Sequence, residues 1–167
     1  MTSNSDDNEI LELMRALAVY RSSEVRHQLT KVVEAASMLH VDALITMYHL
    51  ARSAAGHVLE IGAFVGGATI AAALGVRASG APKKILSIEP GGRLKNHRLA
   101  SKDIFKDLQK NLARFGVADR VTLLRGYSSD AGVVAQVKET YAPGAVGFFM
   151  FDADDNVARD FLTYGDL

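Results

Sequence analysis

Three carboxylates and two glycines stand where they could do chemistry together. Glu60, Gly62 and Gly66 form an acid-x-Gly-x-x-x-Gly pattern inside the run Val58–Thr69. The glycines allow a tight backbone turn and leave room for a ligand. The amides that open a helix behind such a turn make a positive pole suited to a carboxylate. A second acid, Glu89, closes the apolar run Ile85-Leu86-Ser87-Ile88. A carboxylate at a strand end can accept two neighbouring hydroxyls through charge-assisted hydrogen bonds. The third, Asp152, follows the apolar run Val146–Phe151 and opens Asp152-Ala153-Asp154-Asp155-Asn156. Oxygen donors this close could hold Mg²⁺ or Ca²⁺. A purely structural glycine turn, a solvated strand-end acid and a solvated acidic loop are the plain alternatives.

The spacing limits the ligand. A dinucleotide fingerprint places a second glycine two residues after the first, where the backbone meets a pyrophosphate. Phe64 holds that position here, which argues against a dinucleotide-dependent oxidoreductase. The pattern suits a ligand with a ribose and a charged amino-acid tail but no phosphate. Three further segments are candidates for lesser roles. In Gly126-Tyr127-Ser128-Ser129-Asp130 a serine could meet a ligand, or Ser129 or Asp130 could cap a helix. Residues 91–102 hold Arg93, Lys95, Arg98 and Lys102 with His97 and no acid, as a lid for an anionic substrate would, or as a solvated loop. His27, His40, His49 and His57 lack metal-ligand spacing, and only His40 is placed near the pocket mouth.

The elements that position these residues alternate. Strands are predicted near 57–61, 85–89, 121–125 and 146–151, and helices near 67–78, 103–115, 130–141 and 157–166. Gly116 makes a helix stop after Ile104, Phe105, Leu108, Leu112 and Phe115. Val146–Phe151 is apolar throughout, as a strand covered on both faces should be. Short strands separated by helices imply parallel pairing and right-handed crossovers. Three helices precede the first strand. One has Ile10, Leu13, Met14 and Leu17 at helical spacing, with Asp6 and Glu9 as a capping box. The next starts near Ser22 or Ser23 and carries Val25, Leu29, Val32, Ala36 and Leu39. A third runs over 41–53 and is apolar on most sides.

Composition removes several classes. Lys plus Arg and Asp plus Glu are 19 each in 167 residues, which weighs against a nucleic-acid partner. Without cysteine there is no disulfide framework, thiolate metal site or cysteine nucleophile. No apolar run reaches the ~18 residues of a membrane span, and the polar, acidic N-terminus is unlike a signal peptide. The reading is a cytoplasmic protein that engages neither nucleic acid nor membrane.

The segment Val58-Leu59-Glu60-Ile61-Gly62-Ala63-Phe64-Val65-Gly66 resembles the first motif of class I S-adenosylmethionine-dependent methyltransferases. It is most similar to small-molecule O-methyltransferases of the catechol and caffeoyl-CoA branches, and the likeness extends with gaps over residues 40–165. The resemblance implies an α/β Rossmann-like, doubly wound parallel sheet of order 3-2-1-4 under an N-terminal helical cover. Residues 1–8 would be disordered, 9–55 the cover and 56–167 the cofactor-binding core.

It implies that S-adenosylmethionine lies against Glu60, Gly62, Ala63, Phe64 and Gly66, with Glu89 and Pro90 at the ribose. Ser128 and, less centrally, Ser129 would lie beside the adenine. Asp152 matches the family's metal-binding aspartate, so it is a candidate for the cofactor site, for catalysis and for Mg²⁺. Asp155 stands where relatives carry a lysine and is the second catalytic candidate, although a carboxylate cannot supply a lysine's positive charge. The expected activity is methyl transfer to a small molecule, at a hydroxyl oxygen. N- or C-methyl transfer on the same fold and a non-catalytic binding or interaction module are the alternatives. Relatives have seven strands where four are legible here. The sheet is therefore expected to stop after its fourth strand, as in a fragment, with an open edge through which copies could associate.

Overall fold

The computed structural model describes residues 21–153 and 156–167, together with positions 11, 12, 14, 15, 18 and 19. Ile10, Leu13, Leu17, the Asp6–Glu9 box, the stretch 1–8 and the candidate Asp155 lie outside the described residues. The described positions of that first helix are helical, and Leu11, Met14 and Val19 are exposed.

Two cover helices follow, α1 (Glu24–Ala36) and α2 (Val41–Ser53). Ser23 caps α1 by accepting the Arg26 amide at 3.3 Å. The predicted apolar face of α1 buries Leu29, Val32 and Ala36. On α2 the buried side carries Leu44, Ile45, Tyr48 and Ala51, while Leu50 stays exposed, so this helix is one-sided rather than enclosed. A long-range cation holds each C-terminus, where helix carbonyls lack partners. Arg98 donates to the carbonyls of Val33, Glu34 and Ser37 at 2.6–3.0 Å. Lys83, buried, donates to those of Ala51, Arg52 and Ala54 at 2.7–2.9 Å.

The core alternates β1 (His57–Ile61), α3 (Gly67–Ala78), β2 (Ile85–Glu89), α4 (Ile104–Arg114), β3 (Val121–Arg125), α5 (Ala131–Thr140), β4 (Val146–Phe151) and α6 (Val157–Tyr164). The strands form one parallel sheet of order β3-β2-β1-β4, the order expected. In β1, Val58 faces α1–α4 with Ile85 and Met150. Leu59 and Ile61 face α5 and α6 with Leu86, Ile88, Val137 and Tyr164. This period of two sends Glu60 to the α3 side. β1 and β2 are buried nearly throughout. β4 is only partly buried, against the expectation of cover on both faces. Among the described residues no strand pairs with its outer side, and its phenylalanines stay partly buried, Phe148 against the α1–α4 cluster and Phe149 and Phe151 against the α5–α6 cluster.

Candidate functional site

Gly62 ends β1 with φ +91°, a conformation glycine adopts without strain. A Cβ there would lie 2.2 Å from the Asp152 carbonyl oxygen. Glycine is thus required twice, for its dihedral and for the approach of β4, whose Asp152 amide donates to the Ile61 carbonyl at 2.9 Å. Phe64 also lies in the left-handed region, at φ +50°. Glu89 holds it there: Oε2 accepts the Phe64 amide at 2.7 Å, and Oε1 accepts the Gly91 amide at 2.8 Å. A carboxylate has about four acceptor positions, so two remain for a ligand's hydroxyls. Burial pushes the Glu89 carboxyl above its ordinary range. Gly66 begins α3 at φ +102°.

A cavity of about 250 Å³ opens over these strand ends. Its wall runs from Gly62, Phe64, Glu89 and Pro90 to Gly126, Tyr127, Ser128 and Ser129, with Asp152, Ala153 and Arg159 closing the side. A smaller cavity of about 40 Å³ adjoins it and shares Gly62, Phe64 and Asp152. Its other wall is Ala63 and the α1–α2 connector, Ser37, Met38 and Leu39. Gly67 lets that connector close down, since a Cβ there would sit 2.5 Å from Ser37 Cβ.

Of the predicted residues, Gly62, Phe64 and Asp152 meet both cavities, Glu89, Pro90, Ser128 and Ser129 the larger, and Ala63 the smaller. Glu60 and Gly66 line neither. Glu60 is buried at 1% exposure, where Oε2 accepts the Thr69 and Ser87 hydroxyls at 2.7 and 2.5 Å. Its Oε1 is buried without a partner. Burial first, with the Glu89 and Asp152 charges adding, raises its pKa to about 7 against the opposing hydroxyl bonds.

Ser128 is buried and already engaged: its hydroxyl lies 2.9 Å from both Asp160 carboxylate oxygens. Ser129 is exposed at the cavity rim. Asp130 holds the N-cap position of α5, but its side chain accepts the Tyr127 amide at 2.8 Å and so closes the turn behind it.

Three expectations change. His40 lines neither cavity; it is the N-cap of α2 and accepts the Asp42 amide. None of the four cations of 91–102 lines the larger cavity. The segment is folded on itself by reciprocal 2.9 Å backbone bonds between Leu94 and Ser101, and Arg98 is spent on α1. Among the described residues no group of three His, Cys, Asp or Glu side chains is arranged to hold a metal ion, so Asp152 does not make a Mg²⁺ site with them. Sequence reading missed Tyr127 and Ala153, although both are flanked by named residues. It missed Ser37–Leu39 and Arg159 because only the chain's path brings them to the cleft.

Solved structures that share this architecture include O-methyltransferases. TomG of Streptomyces achromogenes, an O-methyltransferase of tomaymycin synthesis solved with S-adenosylmethionine, aligns with TM-score 0.60 and 22% identity over 98% of this chain and 68% of its own. The S-adenosylhomocysteine-bound methyltransferase PaMTH1 of Podospora anserina aligns with TM-score 0.59 and 17% identity, over 95% and 65%. A Bacillus cereus O-methyltransferase with S-adenosylhomocysteine aligns with TM-score 0.54 and 21% identity, over 83% and 61%. The fold is that of the O-methyltransferases. The chain spans 61–68% of the length of these three proteins, so it corresponds to part of that fold. No family model matches the sequence, and no curated protein matches it. Within the O-methyltransferase fold both cavities lie at the carboxyl ends of the strands, where open α/β sheets bind ligands. Among the described residues no helix is long and apolar enough to cross a membrane.

Proposed function

We propose that this chain binds S-adenosylmethionine across the two joined cavities and serves methyl transfer to a hydroxyl of a small molecule. The observation that carries the proposal is the glycine turn at Gly62, over which two cavities meet at Asp152. Glu60 lies behind that turn with Oε1 buried and unpartnered; lining neither cavity, it would act on the amino-acid tail through the turn and its field rather than by contact. Glu89 keeps acceptor capacity for the two ribose hydroxyls while fixing Phe64. The residues present therefore fit the cofactor, whereas those described do not make a metal site.

When bound, S-adenosylmethionine supplies an electrophilic methyl group on a sulfonium. The protein's part is to align the acceptor and remove water. The Ser37–Leu39 connector and Phe64 wall the smaller cavity and are placed to keep water from the reacting group. Asp152 lies at the junction of both cavities and is the side chain placed to take the acceptor's proton. The same placement on unlike acceptors would serve nitrogen or carbon, because a fold does not select the methylated atom. A second reading, an interaction module, is favoured by the apolar surface beside β4, where Phe161 and Leu162 are 63% and 86% exposed. A second copy of the chain is the partner that reading names.

Calorimetric titration tests the main proposal. S-adenosylmethionine or its homocysteine product should bind more tightly than NAD, and equal or tighter NAD binding would sink it. Glu89→Ala should cost about 1.5–3 kcal/mol of cofactor affinity, the range for hydrogen bonds to charged groups.

A further inference from the structure

The larger cavity carries both signs of charge. Glu89 and Asp152 line it, and Arg159 is the one cation among its lining residues. That cation stands against Ser128. Its guanidinium is fixed. Nε donates to Asp160 Oδ1 at 3.0 Å and Nη2 to Asp160 Oδ2 at 3.2 Å, a two-point contact that sets the plane as well as the position. Nη2 also lies 3.2 Å from the Ser128 hydroxyl.

The support behind it is rigid. Asp160 is fully buried and held by Ser128, and Tyr164 donates to the Ser128 carbonyl. The Arg159 side chain remains 39% exposed. A buried carboxylate carried by one turn of α6 thus presents a flat cation to a cavity. Planar cations pack well on aromatic faces, and a purine offers such a face.

We propose that Arg159 is the base-contacting residue of this cavity, packing its guanidinium on the adenine ring, with Asp160 and Ser128 as the positioning residues that set its plane. The inference rests on the cofactor reading above and adds the recognition of the base to it. It also gives Ser128 a role other than direct adenine contact, because its hydroxyl serves Asp160.

Two ligands and two variants test the assignment. S-adenosylhomocysteine carries the base, whereas S-ribosylhomocysteine keeps the ribose and tail without it. Arg159→Ala should weaken S-adenosylhomocysteine about tenfold, within the range of a desolvated cation–aromatic contact, and leave S-ribosylhomocysteine unchanged. Arg159→Lys keeps a charge beside Asp160 but removes the plane. It should melt within a few degrees of the wild type, in the ordinary range for a mild substitution, and still lose most of the base-dependent affinity. Unchanged S-adenosylhomocysteine affinity in both variants, or an equal loss for both ligands, would make Arg159 a structural partner of Asp160 and overturn the proposal. A wild-type protein that binds neither ligand would overturn the cofactor reading as well.

Discussion

The inner and outer pairs of strands in one four-stranded sheet have opposite environments. β1 and β2 bury every residue but His57, while β3 and β4 leave most of theirs partly or largely open. The turn residues that need strict geometry, Gly62 and Glu89, sit at the ends of the inner pair. Other residues of the cavity wall, Tyr127–Ser129 and Arg159, come from elements beside the outer pair. Packing density explains the division. A buried strand has no room to shift, so a carboxylate on it stays within hydrogen-bond reach of a turn 25 residues away. A partly exposed strand can accept sequence change without unfolding the domain.

Substitutions at the inner turn should break the molecule hardest. Gly62→Ala must adopt a left-handed dihedral and place a methyl 2.2 Å from the Asp152 carbonyl. Strain and overpacking of about 1–3 kcal/mol each give an expected loss of about 4 kcal/mol in denaturant melts. Leu86→Ala, at a fully buried site of β2, should cost about 3 kcal/mol. If either loss is below about 1 kcal/mol, the inner strands are not the rigid half of the sheet.

The pH profile sharpens the comparison within β1. The Glu60 carboxyl titrates at about 7 in the folded chain and near its ordinary 4.5 when unfolded. The folded state therefore holds a proton that the unfolded state releases, and stability should fall as pH rises from about 4.5 to about 7. Glu89 is raised by burial and adds to the same slope. Glu60→Gln should flatten the profile without abolishing it, gaining on the wild type as pH rises. Urea midpoints at pH 5 and pH 8 provide the measurement, and an unchanged slope would reject the buried-acid account. The smallest effect belongs beside the outer strand. Leu162→Ser, at a residue 86% exposed, should move stability by no more than about 0.5 kcal/mol.

Much of this arrangement was legible before any coordinates. The strand boundaries follow from short apolar runs closed by Glu89, Gly62 and Gly126, and one helix start from the serines at 22 and 23, of which Ser23 is the cap. Those signals are local, because a dihedral preference or a capping oxygen acts within a few residues. The glycine turn and the acid after β2 were legible for the same reason: tight turns restrict residue type wherever the chain goes next. The burial of β4 was misread because an apolar run reports what a strand can tolerate. It does not report how many neighbours cover it.

The sequence by itself determined the alternation of elements and the residues of the Gly62–Glu89 turn, while the strand order came with the family resemblance. Tertiary structure alone decided which cations would face the cleft. Arg98 lies in the most basic segment, yet it bonds carbonyls 61–65 residues away on α1. Arg159 lies in an unremarked helix and lines the cavity. A charged side chain takes whichever unpaired partner the folded chain brings within reach, and the approach of two distant segments is a property of packing that residue spacing does not encode.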